Sequence, residues 1–191
     1  LLAALPASMH SRALRYRREE DAYNFILGRL LLKQGLADLQ SSETIANLSF
    51  EESGKPVLPS VFFNLSHTDG LVVCGVSKAG PIGIDVEKIK AVELANFVAF
   101  FKPMEWRKIQ EAALPRQQFY RYWTRKESII KALGLSLASL HQIEVEIEQD
   151  TFVADGKTWY LQELSLGAEY VGAICSEALL EMPIPIKQLY F

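Results

Sequence analysis

Helical and strand periodicities alternate twice along this chain of 191 residues. Residues 11–35 place apolar side chains at helical spacing, with Gly35 positioned as the C-terminal stop of a helix. Residues 92–134 show helical spacing again, and strand-like segments follow each helical region. This order predicts an α+β fold of two similar halves, residues 1–90 and 91–191.

Turn residues divide the strand-like part of the first half. Residues 48–51 and 62–65 are apolar strands on either side of a Gly-Lys-Pro turn at 54–56. Residues 71–77 and 82–87 are β-rich runs separated by Lys-Ala-Gly-Pro, a spacing that predicts a hairpin.

The second half predicts one further long helix and then strands. The helix covers about residues 115–133. Residues 143–148 alternate Ile or Val with Glu, which is typical of a half-buried strand. A strand, turn and strand are expected over residues 152–160, and residues 170–175 are expected to close the sheet.

Composition excludes several classes of protein. The 20 Lys and Arg residues nearly balance 23 Asp and Glu residues, so charge indicates no nucleic-acid partner. No apolar stretch approaches the roughly 20 residues needed to cross a bilayer, and no signal peptide is recognisable, so no membrane association is expected. Cys74 and Cys175 lie in apolar runs without metal-type spacing, which predicts reduced core residues and a cytoplasmic protein.

Two carboxylates lie close together in the segment Gly-Ile-Asp-Val-Glu. Side chains alternate along a strand, so Asp85 and Glu87 leave it on the same face. Oxygen ligands of this kind suit Mg²⁺, which also takes water and substrate phosphate. The pattern alone also fits an ordinary solvent-facing strand, so it does not establish a metal site.

A third carboxylate lies on the predicted helix 115–133. Trp123, Glu127 and Lys131 recur at spacings of four residues and share one face, with Lys126 at its edge. A simple surface Glu–Lys pair would give the same spacing. The aromatic ring and the neighbouring apolar residues indicate instead that this face is packed.

Other polar residues are weaker candidates for a binding site. The stretch Asn-Leu-Ser-His-Thr-Asp-Gly reads as a polar turn, with Ser66 and His67 at a strand end. Lys55 lies on the Gly-Lys-Pro turn, where it either holds a phosphate or is simply exposed. Arg12 and Arg15 belong to a basic cluster that also fits a solvated helix face.

These pieces together resemble the 4'-phosphopantetheinyl transferase superfamily. Its motif pair, G-[IV]-D-[IV]-E followed by W-x-x-K-E-[AS]-x-x-K, matches Gly-Ile-Asp-Val-Glu at 83–87 and Trp-Thr-Arg-Lys-Glu-Ser-Ile-Ile-Lys at 123–131. Further segments agree with the larger, surfactin-synthetase-activator type: Glu20-Asp21-Ala22 with Leu27-Gly28, Gly54-Lys55-Pro56, Asn64-Leu65-Ser66-His67, and Phe100-Phe101 followed by Glu105. The resemblance runs in order over most of the chain.

The resemblance implies two pseudo-symmetric α/β halves in one monomeric chain, with coenzyme A in the cleft between them. It implies that Asp85, Glu87 and Glu127 bind Mg²⁺, or Mn²⁺ in its place. The coenzyme A contacts that it implies are Lys55, Ser66 and His67 at the nucleotide end and Lys126 and Lys131 at the pyrophosphate, with Arg12 and Arg15 as further phosphate contacts. Glu127, Lys131 and His67 are the implied catalytic residues.

The implied reaction moves the 4'-phosphopantetheine group of coenzyme A to a serine of an apo acyl or peptidyl carrier protein. Mg²⁺ and lysines would offset the charge that develops on the leaving 3',5'-ADP. Glu127 is expected first as a metal ligand and second as the base that takes the serine proton.

Two alternatives come from other classes of protein. One is a non-catalytic member of the same fold that binds coenzyme A or a carrier protein. The other is a different coenzyme A enzyme such as an acyltransferase, which would need a base near a thioester and no metal site. Because an acyltransferase would tolerate the loss of Glu87, this residue discriminates between the two enzymatic readings.

Overall fold

The computed structural model describes residues 1–52, 54–181 and 183–190. Its helices are α1 (Ala7–Ala13), α2 (Glu19–Asp38), α3 (Pro103–Glu111) and α4 (Pro115–Leu133), with 3-10 turns at Leu2–Ala4, Ile45–Asn47, Leu94–Phe100 and Leu137–Gln142. Within these described residues, no helix combines the length and the apolar character needed to cross a bilayer.

The strands of the described residues form three antiparallel sheets. They are β1 (Ser49–Phe50), β2 (Pro56–Val57), β3 (Phe62–Thr68), β4 (Leu71–Ser77), β5 (Ile82–Lys88), β6 (Thr151–Ala154), β7 (Lys157–Glu163) and β8 (Tyr170–Ser176). β1 pairs with β2, β3 pairs with β4, and the others form a four-stranded sheet in the order β5-β8-β7-β6. Each half therefore combines a long helix with antiparallel strands, and the predicted α+β class is confirmed.

In the first half, α2 packs on β4. The helix expected over residues 11–35 is divided into α1 and α2, and Gly35 lies inside α2 rather than at its end. A Cβ at Gly35 would lie 2.8 Å from Val76 Cγ1. Glycine is needed here for the close approach of helix and sheet, and the prediction of a helix stop is wrong.

In the second half, α4 packs across β5 and β8. A Cβ at Gly83 would lie 2.0 Å from the backbone oxygen of Ser128 and 2.3 Å from the backbone nitrogen of Ala132. Since real Cβ atoms cannot come this close, only glycine lets the backbone of α4 rest directly on β5. This contact brings the two motif segments together.

Two strand predictions are wrong in their pairing. The expected hairpin between residues 71–77 and 82–87 does not form, because β4 pairs with β3 whereas β5 pairs with β8. Residues 170–175 were expected to close the sheet, but β8 lies inside it between β5 and β7. The neighbours of β5 and β8 depend on pairing between strands that lie far apart in the sequence.

The predicted strand over residues 143–148 is also wrong. Ile143, Val145 and Ile147 are buried as the alternation indicated, but the segment belongs to no sheet. The backbone N–H of Val145 instead donates to the buried carboxylate of Glu105, at 2.8 Å from Oε1. The alternation therefore predicted burial correctly and hydrogen-bonding partners incorrectly.

Side chains join the sheets of the two halves. The stretch expected as a polar turn continues β3 as far as Thr68, and its side chains meet the edge of β5 that faces away from β8. The hydrogen bonds are Ile84 N to Asn64 Oδ1 (3.0 Å), Val86 N to Ser66 Oγ (3.3 Å) and Lys88 N to Thr68 Oγ1 (3.1 Å). Strand pairing places the boundary between the sheets of the two halves between β4 and β5, because β5 pairs with β8. The predicted boundary of the two halves at residue 90 stays a prediction.

Candidate functional site

Strand β5 and helix α4 bring acidic and basic side chains together. The ammonium of Lys131 lies 2.6 Å from Asp85 Oδ1 and 3.9 Å from Glu127 Oε2. Glu87 follows on the same face of β5 and acts electrostatically on Glu127. We call these four residues the carboxylate cluster.

Burial strengthens the repulsion between the carboxylates of this cluster. It raises the pKa of Asp85, although Lys131 opposes the shift. Burial and then the charge of Asp85 raise the pKa of Glu87. The same causes raise the pKa of Glu127 to about 7, with Lys131 again opposing. The charge of Lys131 acts on all three carboxylates and that of Lys90 also acts on Glu87, yet the pKa of each carboxylate stays raised, so the cluster favours additional positive charge.

The oxygen atoms of the cluster are of the type that a hard divalent cation prefers. Oδ2 of Asp85 is buried and has no hydrogen-bond partner among the described residues. Such an orphaned oxygen suits a cation that prefers carboxylate oxygen, as Mg²⁺ does. In the described part of the chain, no three His, Cys, Asp or Glu side chains are arranged so that they could hold a metal ion, and Lys131 is the cation that contacts Asp85.

Ser66 and Thr68 of β3 hydrogen-bond the carboxylates of β5. Ser66 Oγ lies 2.9 Å from Asp85 Oδ1 and 3.2 Å from Lys131 Nζ, and the side chain is buried. Thr68 Oγ1 lies 3.1 Å from Glu87 Oε2. Sequence reasoning assigned no role to Thr68; the alternation of polar residues at 64, 66 and 68 is the signal that could have found it.

A cavity of about 230 Å³ lies between α2 and the opposite face of β3. Its lining includes Arg12, Phe25, Arg29, Leu65 and His67, and Ser66 also borders it. The structure therefore brings Arg12, Ser66 and His67 to one cavity, and their contacts with coenzyme A stay predictions.

Arg29, which sequence reasoning missed, is the buried cation of this cavity. Its side chain is 5% exposed, and its guanidinium lies 5.1 Å from the Phe25 ring centroid. Arg12 also approaches this ring, at 5.5 Å. Burial and then the charge of Arg12 lower the pKa of Arg29, and no described carboxylate forms a salt bridge with it. Two guanidinium groups around one ring provide a site for an anion.

Two predicted coenzyme A contacts lie outside the lining of this cavity. Arg15 is exposed, and its Nε donates to the backbone oxygen of Ser11 at 3.3 Å. Lys55 is half-buried just before β2, and its backbone oxygen accepts from the N–H of Glu51 at 3.0 Å. Contacts of either residue with coenzyme A stay predictions.

Lys126 occupies a different environment from the pyrophosphate site expected for it. Its side chain is 1% exposed, and its Nζ lies 2.7 Å from Oε2 of Glu105. Glu105 also accepts hydrogen bonds from the backbone N–H groups of Lys102 and Val145. Because its ammonium is enclosed by this interaction, the pyrophosphate contact expected of Lys126 would require this ion pair to open, and that contact stays a prediction.

The Trp123 side of α4 is packed, as its sequence indicated. Its indole lies 5.8 Å from the ring of Phe119 and 5.5 Å from that of Phe97, measured between centroids. Phe100 adds a further edge contact at 5.6 Å. This aromatic packing fixes the rotation of α4 that points Glu127 and Lys131 at β5.

Comparisons with known proteins agree with the motif pair. A family model described as the 4'-phosphopantetheinyl transferase superfamily matches residues 81–175. A 4'-phosphopantetheinyl transferase of Bacillus subtilis is 33% identical over 190 residues, which cover 92% of this chain and 84% of that protein. The transferase HetI of Nostoc sp. is 32% identical, covering 91% of this chain and 79% of its own.

Another relative is Sfp, a 4'-phosphopantetheinyl transferase of Bacillus subtilis, with 30% identity over 85% of this chain and 77% of that protein. A solved holo-[acyl-carrier-protein] synthase of Thermotoga maritima is 18% identical, with a TM-score of 0.38 over 50% of this chain and 61% of its own. On the family match and its curated relatives, the chain belongs to the 4'-phosphopantetheinyl transferase superfamily, as a member of its surfactin-synthetase-activator type.

Proposed function

We propose that this chain transfers the 4'-phosphopantetheine group of coenzyme A to a serine hydroxyl of an apo acyl or peptidyl carrier protein, releasing 3',5'-ADP. The observation that carries the proposal is the carboxylate cluster, in which Asp85, Glu87 and Glu127 share Lys131. Membership of the superfamily supports the same reaction.

Asp85, Glu87 and Glu127 are the residues that would hold Mg²⁺, or Mn²⁺ in its place. When bound, the cation would offset the negative charge of the carboxylates and of the coenzyme A pyrophosphate. The orphaned Oδ2 of Asp85 and the raised pKa of Glu127 support this assignment, because both indicate a cluster short of positive charge.

The residues of the chain then bind, orient and move protons. The serine oxygen attacks the β-phosphorus of coenzyme A, and the bond from that phosphorus to the bridging oxygen breaks, leaving the electron pair on 3',5'-ADP. In the second role proposed for Glu127, the serine proton passes to one of its carboxylate oxygens, directly or through water. The ammonium of Lys131 stabilises charge on the departing phosphate.

The cavity between α2 and β3 binds the nucleotide end of coenzyme A in this proposal. Arg12, Arg29 and His67 supply positive or hydrogen-bonding groups for the 3'-phosphate. The buried guanidinium of Arg29 supports this placement, because no described acidic side chain pairs with it and an anionic ligand would.

The reaction is proposed for a cytoplasmic monomer. Both halves and the cavity belong to one chain, so no second copy is needed to complete the site. Cys74 and Cys175 are free thiols, as a reducing compartment requires. Light scattering coupled to gel filtration tests the oligomeric state, and a dimer that dissociates with loss of activity would contradict it.

Intact-protein mass spectrometry tests the activity. An apo acyl carrier protein incubated with this chain, coenzyme A and Mg²⁺ should gain one phosphopantetheine group. EDTA or Glu127→Gln should abolish the gain, whereas Glu111→Gln, which removes an exposed carboxylate of α3, should not. If several unrelated carriers gain no mass although the chain binds coenzyme A, the non-catalytic alternative is favoured.

A further inference from the structure

The outer edge of β5 is covered by side chains instead of a neighbouring strand. β5 is the edge strand of its sheet, so the N–H groups of Ile84, Val86 and Lys88 point away from β8. Asn64, Ser66 and Thr68 of β3 accept these hydrogen bonds. An edge strand that would otherwise expose unpaired backbone groups is thereby satisfied.

Ser66 and Thr68 do more than cover this edge. A hydroxyl carries one hydrogen, and in both residues the oxygen already accepts a backbone N–H. That hydrogen is directed at a carboxylate. Ser66 Oγ donates to Asp85 Oδ1 at 2.9 Å, and Thr68 Oγ1 donates to Glu87 Oε2 at 3.1 Å. Each hydroxyl thus links the backbone of β5 to a carboxylate of the same strand.

Strand β3 therefore contributes side chains to both the cavity beside α2 and the carboxylates of β5. Leu65 and His67 face the cavity beside α2, whereas Ser66 and Thr68 direct their hydroxyls at the carboxylates of β5. Asn64 also accepts a hydrogen bond from the backbone of β5, and its partner is the N–H of Ile84. It provides a natural comparison, because it joins the halves without contacting a carboxylate.

We propose that Ser66 and Thr68 are positioning residues that hold Asp85 and Glu87 in the orientation that binds the divalent cation. This inference rests on the proposed function. Thr68 is the sharper test, because Ser66 also borders the nucleotide cavity and contacts Lys131. Without the Thr68 hydroxyl, Glu87 keeps its place on β5 but loses the bond that fixes its carboxylate.

Three variants separate positioning from packing. Thr68→Val removes the hydroxyl and keeps the branched shape, whereas Thr68→Ser keeps the hydroxyl. Asn64→Leu removes a side-chain oxygen that accepts the N–H of Ile84 and touches no carboxylate. Mn²⁺ is titrated into each full-length protein at saturating coenzyme A, and free Mn²⁺ is followed by electron paramagnetic resonance. Melting temperatures are recorded in EDTA.

Thr68→Val should raise the Kd for Mn²⁺ by about 10- to 100-fold, the usual cost of losing a hydrogen bond to a metal ligand. Thr68→Ser and Asn64→Leu should leave the Kd near its wild-type value, although Asn64→Leu and Thr68→Val both lower the melting temperature. Equal Kd values for Thr68→Val and wild type, or an equal rise in Asn64→Leu, would overturn the inference.

The same titration distinguishes the two proposals. If the wild-type chain binds coenzyme A but no Mn²⁺, the proposed metal site fails and the positioning role fails with it. If the wild type binds both and Thr68→Val binds Mn²⁺ equally well, only the positioning role fails. Should Asn64→Leu not fold, the pair Thr68→Val and Thr68→Ser still decides, because the hydroxyl is common to Thr and Ser.

Discussion

Replacing Glu127 by Gln should stabilise the metal-free protein at alkaline pH. Glutamine keeps the shape of the side chain and removes a charge that burial, Asp85 and Glu87 all disfavour. Residues that bind a charged ligand are arranged for that ligand and not for the stability of the empty protein. The cluster should therefore cost folding free energy when no cation is bound.

The magnitude follows from the pKa of Glu127, which rises from 4.5 to about 7 on folding. The folded state then holds the proton more tightly than the unfolded state, so stability falls as the pH rises from 4.5 through about 7. At about 1.4 kcal/mol per tenfold change in proton affinity, the full loss is about 3 kcal/mol above pH 7. At pH 5 most of the loss has not yet occurred.

Urea unfolding in EDTA, followed by circular dichroism, measures the effect. Glu127→Gln should exceed wild type by about 1 kcal/mol at pH 5 and by about 3 kcal/mol at pH 8. Glu111→Gln controls for loss of one negative charge at an exposed position. A difference that does not change between the two pH values, or a variant less stable than wild type at pH 8, would refute the electrostatic reasoning.

Three further changes test the packing and the nucleotide site proposed for the cavity between α2 and β3. Gly83→Ala should lower the free energy of unfolding by at least about 3 kcal/mol, because its Cβ would overlap the backbone of Ser128, and wild-type stability in urea would contradict this. Lys126→Met should cost about 3–5 kcal/mol by leaving the Glu105 carboxylate buried without its cation. Adding Glu105→Gln should recover part of this in the same assay, because the amide removes the buried charge but keeps only one of the two oxygens that accept the N–H groups of Lys102 and Val145. Arg29→Met should raise the KM for coenzyme A about tenfold or more, and less for dephospho-coenzyme A; equal increases would show that Arg29 does not bind the 3'-phosphate.

Local periodicity was sufficient to predict which side chains share a face within each motif. Alternation along a strand predicted that Asp85 and Glu87 share a face, and helical spacing predicted that Glu127 lies beside Lys131; the structure has both relationships. Both depend on a few neighbouring residues, whose geometry the backbone alone dictates.

Local periodicity could not predict which surface each side chain meets. Lys126 and Lys131 lie on one helix, yet Lys126 is enclosed with Glu105 whereas Lys131 reaches Asp85. Successive helical residues differ by about 100° around the axis. The packing of α4 against β5 and α3 therefore decides which lysine enters the cluster.

The pairing of the strands likewise could not be predicted from neighbouring residues alone. The Lys-Ala-Gly-Pro turn suggested that β4 and β5 pair, but β5 instead takes β8 on one edge and the side chains of β3 on the other. The roles of Thr68 and Arg29 follow from these contacts. Sequence determined which groups each segment offers, whereas the tertiary structure decided their partners, because hydrogen bonds and burial depend on residues far apart in the chain.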